Sequence, residues 1–154
     1  MKSMKIAVDF DGTCVTHEYP HIGKDIGAVV VLKQLVNMGH KIILNTMRSG
    51  LELEAAVNWF KENGIDLYGV NEDPGQKEWT KSPKVFANIY IDDAALGCPL
   101  KRPFDAQMLQ EIGYSESDIE EMNLSTRPYV NWKEISRYFN KVGIIGCPDP
   151  VMKD

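Results

Sequence analysis

Histidine and cysteine are scarce in this chain, with three of each among 154 residues. Cys14, Cys98 and Cys147 are odd in number and no two form a C-x-x-C pair, so neither a disulfide framework nor a zinc knuckle is expected. Cys14 reads as a small filler beside an acidic motif, since no histidine is obviously paired with it to activate a thiol. A basic excess is missing as well. Lys and Arg total 17 against 22 acids, a net charge of -5, whereas a polyanion partner usually needs a basic face; nucleic acid therefore enters only as a substrate. No apolar run approaches the length of a membrane span, and the N-terminus lacks the apolar core of a signal peptide. The expectation is a cytoplasmic protein without a membrane partner. Internal repeats and low-complexity segments are also absent. The length suits one domain with its own core, expected over residues 1–145, with 146–154 as a flexible tail.

One literal zinc motif fails on local grounds. His17-Glu18-Tyr19-Pro20-His21 matches H-E-x-x-H, which works only on a helix, where histidines four apart share a face. Pro20 removes a helical hydrogen bond and pushes Tyr19 toward extended geometry. Val15 to Lys24 therefore reads as a short loop, with no zinc site.

What the chain does have is acids at strand ends. Lys5-Ile6-Ala7-Val8 reads as a buried strand, and it closes on Asp9-Phe10-Asp11-Gly12-Thr13. Carboxylates two residues apart at the carboxyl end of a strand point into the crevice where open α/β sheets keep their ligands. Two like charges so close repel unless a cation lies between them or one is protonated, which points to Mg²⁺ and a phosphate. Gly12 lets the backbone turn and approach a ligand closely.

A helix is expected from about Asp25 to Met38, stopped by Gly39, then a strand at Lys41-Ile42-Ile43-Leu44-Asn45 that delivers Thr46 to the same sheet edge. Ser49-Gly50-Leu51-Glu52 has capping-box spacing and opens a helix running through Phe60 to a stop at Gly64. Arg48 lies just before that helix N-terminus, which suits it to phosphate. Leu67 to Val70 is a third strand, and Asn71 after it is placed to reach a substrate. Asn88-Ile89-Tyr90-Ile91-Asp92-Asp93 repeats the opening theme of a strand ending in acids. Ser117-x-x-Glu120 starts a short helix, and Asn131 to Val142 forms a terminal one.

In this order the motifs resemble the haloacid dehalogenase superfamily, whose members are mostly phosphatases, and the match covers residues 5 to 97. The resemblance implies that Asp9 attacks phosphorus and becomes an aspartyl phosphate, while Asp11 protonates the leaving oxygen and later deprotonates water. It implies that the Thr46 hydroxyl binds the transferring group. Lys84, with Lys81 or Lys77 as alternatives, would pair with the nucleophile. Mg²⁺ would be held by the Asp9 carboxylate, the Asp11 backbone carbonyl and Asp92, with Asp93 one step further out. The implied fold is a three-layer α/β sandwich with a mainly parallel, Rossmann-like sheet.

The expected activity is therefore Mg²⁺-dependent hydrolysis of phosphate monoesters, with a nucleotide or nucleic-acid end as an alternative substrate. A receiver-like phosphoacceptor module is the reading from another class, and here the paired acids speak against it. Cys14 to Lys24 spans 11 residues and the gap between Thr46 and Lys84 spans 37, so neither holds a cap domain of its own. An open site follows, covered only by Val15 to Lys24, by Asn71 to Pro83, and by residues 98–130 or a second subunit of a homo-oligomer.

Overall fold

The computed structural model describes residues 2–101, 110–111, 113–121 and 127–146. Residues 102–109, 112, 122–126 and 147–154, which include Cys147 and all of the expected tail but Gly146, lie outside the described residues. The elements run β1 (Lys5–Val8), α1 (Ala28–Asn37), β2 (Lys41–Leu44), α2 (Gly50–Glu62), β3 (Leu67–Val70), a 3-10 turn (Gln76–Glu78) and β4 (Ile89–Ile91). They continue with β5 (Leu100–Lys101), α3 (Glu116–Glu121), β6 (Tyr129–Val130) and α4 (Trp132–Lys141).

Four strands form one parallel sheet in the order β3-β2-β1-β4. Strands buried on both faces favour β-branched residues, and Ile6, Val8, Ile42, Ile43 and Leu44 are all 0% exposed. Side chains alternate across a strand, and one face takes Ile6, Val8, Ile42, Leu44 and Ile91. That face shares a single apolar cluster with Leu32 and Leu35 of α1, Ala56 and Phe60 of α2, and Ile135 and Phe139 of α4. The other face carries Lys5, Ala7, Ile43, Tyr68 and Tyr90, and the segment 71–88 crosses it. Asp73 takes the Lys5 ammonium at 2.9 Å. Gln76 fixes the segment by donating to the Ser82 and Lys84 carbonyls and accepting from Phe86 N–H.

Helix ends follow the sequence with one change of partner. Asp25 Oδ1 accepts from Ala28 N–H at 2.9 Å and so starts α1, while Asn131 Oδ1 accepts from Glu134 N–H and starts α4. Ser49 precedes α2 as expected, but its side chain makes no cap bond; its carbonyl accepts from Leu53 N–H instead. Among the described residues no helix is long and apolar enough to cross a membrane.

A parallel ladder does not stop at the last strand residue, and this positions the site. Asp9 N–H donates to Ile91 O, Asn45 N–H to Val8 O, and Asn71 N–H to Leu44 O. The first residues beyond β1, β2 and β3 are thereby fixed side by side at the carboxyl edge, next to Asp92 beyond β4.

Candidate functional site

Asp9, Asp92 and Asp93 each bring a carboxylate oxygen to a common point, all within 4.8 Å of one another. β1 supplies the first and β4 the other two, and the pairing of Val8 with Ile91 sets them in register. Burial, with the charge of Asp92 second, pushes the Asp9 carboxyl up from 3.8 to about 7. Three acids held this close, one of them reluctant to ionise, form a set that a hard divalent cation would relieve. The donor set is all oxygen.

Thr13 ties this group together and was not singled out by the sequence reading. Its hydroxyl lies 2.9 Å from Asp9 Oδ2 and 3.3 Å from Asp93 Oδ1, and accepts from Asp93 N–H at 3.0 Å. Thr13 is fully buried, and its carbonyl accepts from the Trp132 indole at 2.6 Å. The turn itself is closed by Phe10 O, which accepts from the N–H groups of Thr13, Cys14 and Val15. Cys14 is a buried filler as expected. Burial holds its thiol well above the usual range, with Asp9 second.

The acids open into a cleft of about 600 Å³ lined by Asp9, Asp11, Asp92 and Asp93 with His17, Tyr19, Thr46, Met47, Arg48, Ala94 and Arg127. Asp93 stands in the carboxylate group itself, one step closer than expected. Asp11 stands outside that group, forked onto Arg48, while its backbone carbonyl is free of the bonds that close the turn. Thr46 lines the cleft as expected. Its hydroxyl oxygen accepts from Arg48 N–H at 3.1 Å, leaving the proton to donate.

Four expected binding roles change. Arg48 was expected to meet phosphate, but Nε and Nη2 each donate to Asp11 at 2.7 Å, Nη1 donates to Pro20 O and Glu52 O, and Nη2 donates also to His21 O. All five of its N–H bonds are engaged, and the Asp11 bonds hold the guanidinium above its usual range. Asn71 was expected to reach substrate, yet its side-chain oxygen accepts from Thr46 N–H at 2.8 Å, so it positions Thr46. Gly12 N–H donates to Val15 O and offers a ligand nothing. Its role is space: φ is 79°, and a Cβ there would stand 2.1 Å from the His17 ring.

Lys84 is the largest departure. Its ammonium lies over the Tyr90 ring, 5.4 Å from the centroid, outside the cleft. The reason is direction along the strand. Asn88 N–H donates to Lys5 O at the amino end of the sheet, so a residue four before Asn88 cannot stand beside Asp92 at the carboxyl end. Lys81 and Lys77, the alternatives, do not line the cleft either. Among the described residues the cleft holds no lysine.

The loop expected at 15–24 covers the acids and brings in His17, which the sequence reading set aside. Its Nε2 lies 3.2 Å from both Asp93 Oδ2 and Pro128 O. His21, exposed and outside the cleft, gives no second zinc ligand. Arg127 also went unnoticed, within a stretch with no strong periodicity.

No family model and no curated protein matches the chain. Among solved structures, a conserved protein from Bacteroides thetaiotaomicron is similar, with 36% identity and a TM-score of 0.59 over 77% of this chain and 98% of the other. Identity at that level over nearly the whole of the second protein shows shared fold and descent together, and the chain belongs to the family of that conserved protein.

Proposed function

We propose that the protein is a Mg²⁺-dependent phosphate monoester hydrolase of the haloacid dehalogenase type, with that superfamily's three-layer α/β fold, in which Asp9 is the nucleophile. The observation that carries the reading is the group of Asp9, Asp92 and Asp93 at the ends of two adjacent parallel strands, with Asp9 displaced from its ordinary pKa. The oxygen of Asp9 not bonded to Thr13 forms the bond to phosphorus as the ester P–O bond breaks. The departing oxygen takes a proton, a role that falls to Asp11 at the cleft wall. Water then attacks phosphorus in the acyl phosphate and gives its proton to the Asp11 carboxylate, while the P–O bond to Asp9 breaks, releasing inorganic phosphate and restoring the Asp9 carboxylate. Arg48 holds Asp11 in one orientation through both steps. Thr46 donates its free proton to a phosphoryl oxygen. A Mg²⁺ ion held by the three carboxylates would offset charge on the phosphoryl oxygens, where most of the barrier to phosphoryl transfer lies.

An open cleft, with no cap domain among the described residues, gives few contacts away from the phosphate, so small esters should be poorly distinguished. Larger substrates, such as a nucleic-acid end or a phosphoprotein, would add contacts of their own. The deciding assay is turnover of a generic aryl phosphate with Mg²⁺, with chelator, and with Mg²⁺ or Zn²⁺ restored. Turnover that requires Mg²⁺ and disappears in Asp9→Asn is the expected result. Labelling of Asp9 without turnover would replace the hydrolase with a phosphoacceptor module, and full activity in Asp9→Asn would remove the mechanism.

A further inference from the structure

We propose that Arg127 is the cation that grips the substrate's phosphoryl oxygens in this cleft, the place that neither Lys84 nor Arg48 fills. The assignment rests on the phosphate reading of the cleft. A dianion entering beside three carboxylates meets strong repulsion, which one divalent ion only partly offsets, so a further positive group is required close by. Among the described residues the cleft wall offers three nitrogenous side chains, His17, Arg48 and Arg127.

Two of them are already engaged. Every N–H of Arg48 has an acceptor in the protein: two oxygens of Asp11 and the carbonyls of Pro20, His21 and Glu52. A guanidinium has five N–H bonds, so none is left for a ligand. His17 Nε2 lies between Asp93 and the Pro128 carbonyl. Arg127, in contrast, is exposed and makes no hydrogen bond or ion pair with the described residues. Its five donors are available, and their planar fork matches two oxygens of a phosphate.

The backbone that carries Arg127 is stitched to the acidic turn. Pro128 O is the His17 contact at 3.2 Å, and Val130 N–H donates to Gly12 O at 3.0 Å. Tyr129 pairs with Lys101 across the β5/β6 ribbon, and Val130 is fully buried. The guanidinium therefore lines the cleft from a backbone anchored beside the acidic turn. A flexible side chain on an anchored backbone can close on a phosphate without moving the carboxylates.

The test is binding of inorganic phosphate to the full chain in saturating Mg²⁺, by calorimetry. Arg127→Ala should weaken it about tenfold to hundredfold, the range for loss of a charge-assisted fork. Arg127→Lys should recover only part, because an ammonium keeps the charge and loses the fork. Mg²⁺ affinity without phosphate and the melting temperature should be unchanged, which separates a lost contact from a disturbed fold. Phosphate affinity in Arg127→Ala within twofold of the parent overturns the assignment, and so does a parent protein that binds no phosphate. Loss of phosphate binding in Arg127→Ala while the parent turns over no ester supports the clamp and removes the hydrolase instead, so the two readings fail separately.

Discussion

Replacing Asp9 with Asn should make the metal-free protein more stable, while destroying the site that it belongs to. The Asp9 carboxyl is held at about 7 against an ordinary 3.8 by burial and by Asp92. A carboxyl whose folded pKa is raised binds more protons when folded than when unfolded between those values. Its favourable contribution is complete below about 3.8, declines as pH rises through 7, and is flat above. At pH 8 the ceiling on the cost of ionising Asp9 is about 4 kcal/mol, from about 1.4 kcal/mol per pKa unit. Water in the open cleft screens the charge, and about half of that, roughly 2 kcal/mol, is the expected net effect. An Asn has no charge to bury, keeps an oxygen for the Thr13 hydroxyl, and can donate its amide to Asp92. With chelator at pH 8, Asp9→Asn should therefore melt about 4 to 8 °C above the parent. The gap should shrink steadily on acidification and nearly vanish by pH 4. Millimolar Mg²⁺ should reverse the order, because only the parent keeps the full ligand set and gains from binding. Thermal melts across pH 4 to 8, with and without Mg²⁺, decide it. A variant that melts below the parent in chelator at pH 8, or a gap that does not change with pH, would refute the reasoning.

Arg48→Ala should cost about 3 kcal/mol in urea denaturation, because it leaves Asp11 unpaired and takes the Arg48 donor from the Pro20 and His21 carbonyls; loss below about 1 kcal/mol would show that the fork is incidental. Thr13→Val keeps the volume but removes the hydroxyl between Asp9 and Asp93, and should weaken Mg²⁺ binding measured by calorimetry about tenfold. Gly12→Ala must displace the His17 ring and adopt a φ of 79°, so a loss of about 1 to 3 kcal/mol is expected in the same denaturation assay. Lys84→Ala should leave kcat/KM for an aryl phosphate within twofold; a loss of a hundredfold would put a lysine back in the cleft.

The strands and the acids were legible in the sequence for a simple reason: both signals are local. Ile6, Val8, Ile42 and Leu44 announce buried strands, and Asp9, Asp92 and Asp93 stand at the ends of such runs, so order along the chain sufficed to group them. Roles that depend on a distant partner were not legible. Arg48 and Asp11 are 37 residues apart and Thr46 and Asn71 are 25 apart, and no spacing rule ties either pair. Lys84 was misplaced because counting back from Asp92 gives a separation but no direction along the sheet. His17 was hidden by a motif that failed for the right reason: the helix is absent, yet one of its histidines still reaches the acids. Arg127 follows a stretch without periodicity, and its backbone is tied to the acidic turn by the bonds from Val130 to Gly12 and between His17 and the Pro128 carbonyl.

The pairing of β4 with β1 bears on how the protein is made. Thr13 and Asp93 meet across 80 residues of chain, whereas β1, β2 and β3 are joined through α1 and α2 in short crossovers. During synthesis the first seventy residues can emerge and assemble three strands, yet one side of β1 then stays unpaired until Ile89 to Ile91 leave the ribosome. A nascent chain in that condition carries Asp9 with no partner acids and an open strand edge, the feature that invites pairing with other chains. Docking of β4 covers the open side of β1 and brings Asp92 and Asp93 to Asp9 in the same event. Chain truncated before Ile89 should accordingly aggregate and show no response to Mg²⁺, so the cation rewards only the finished protein.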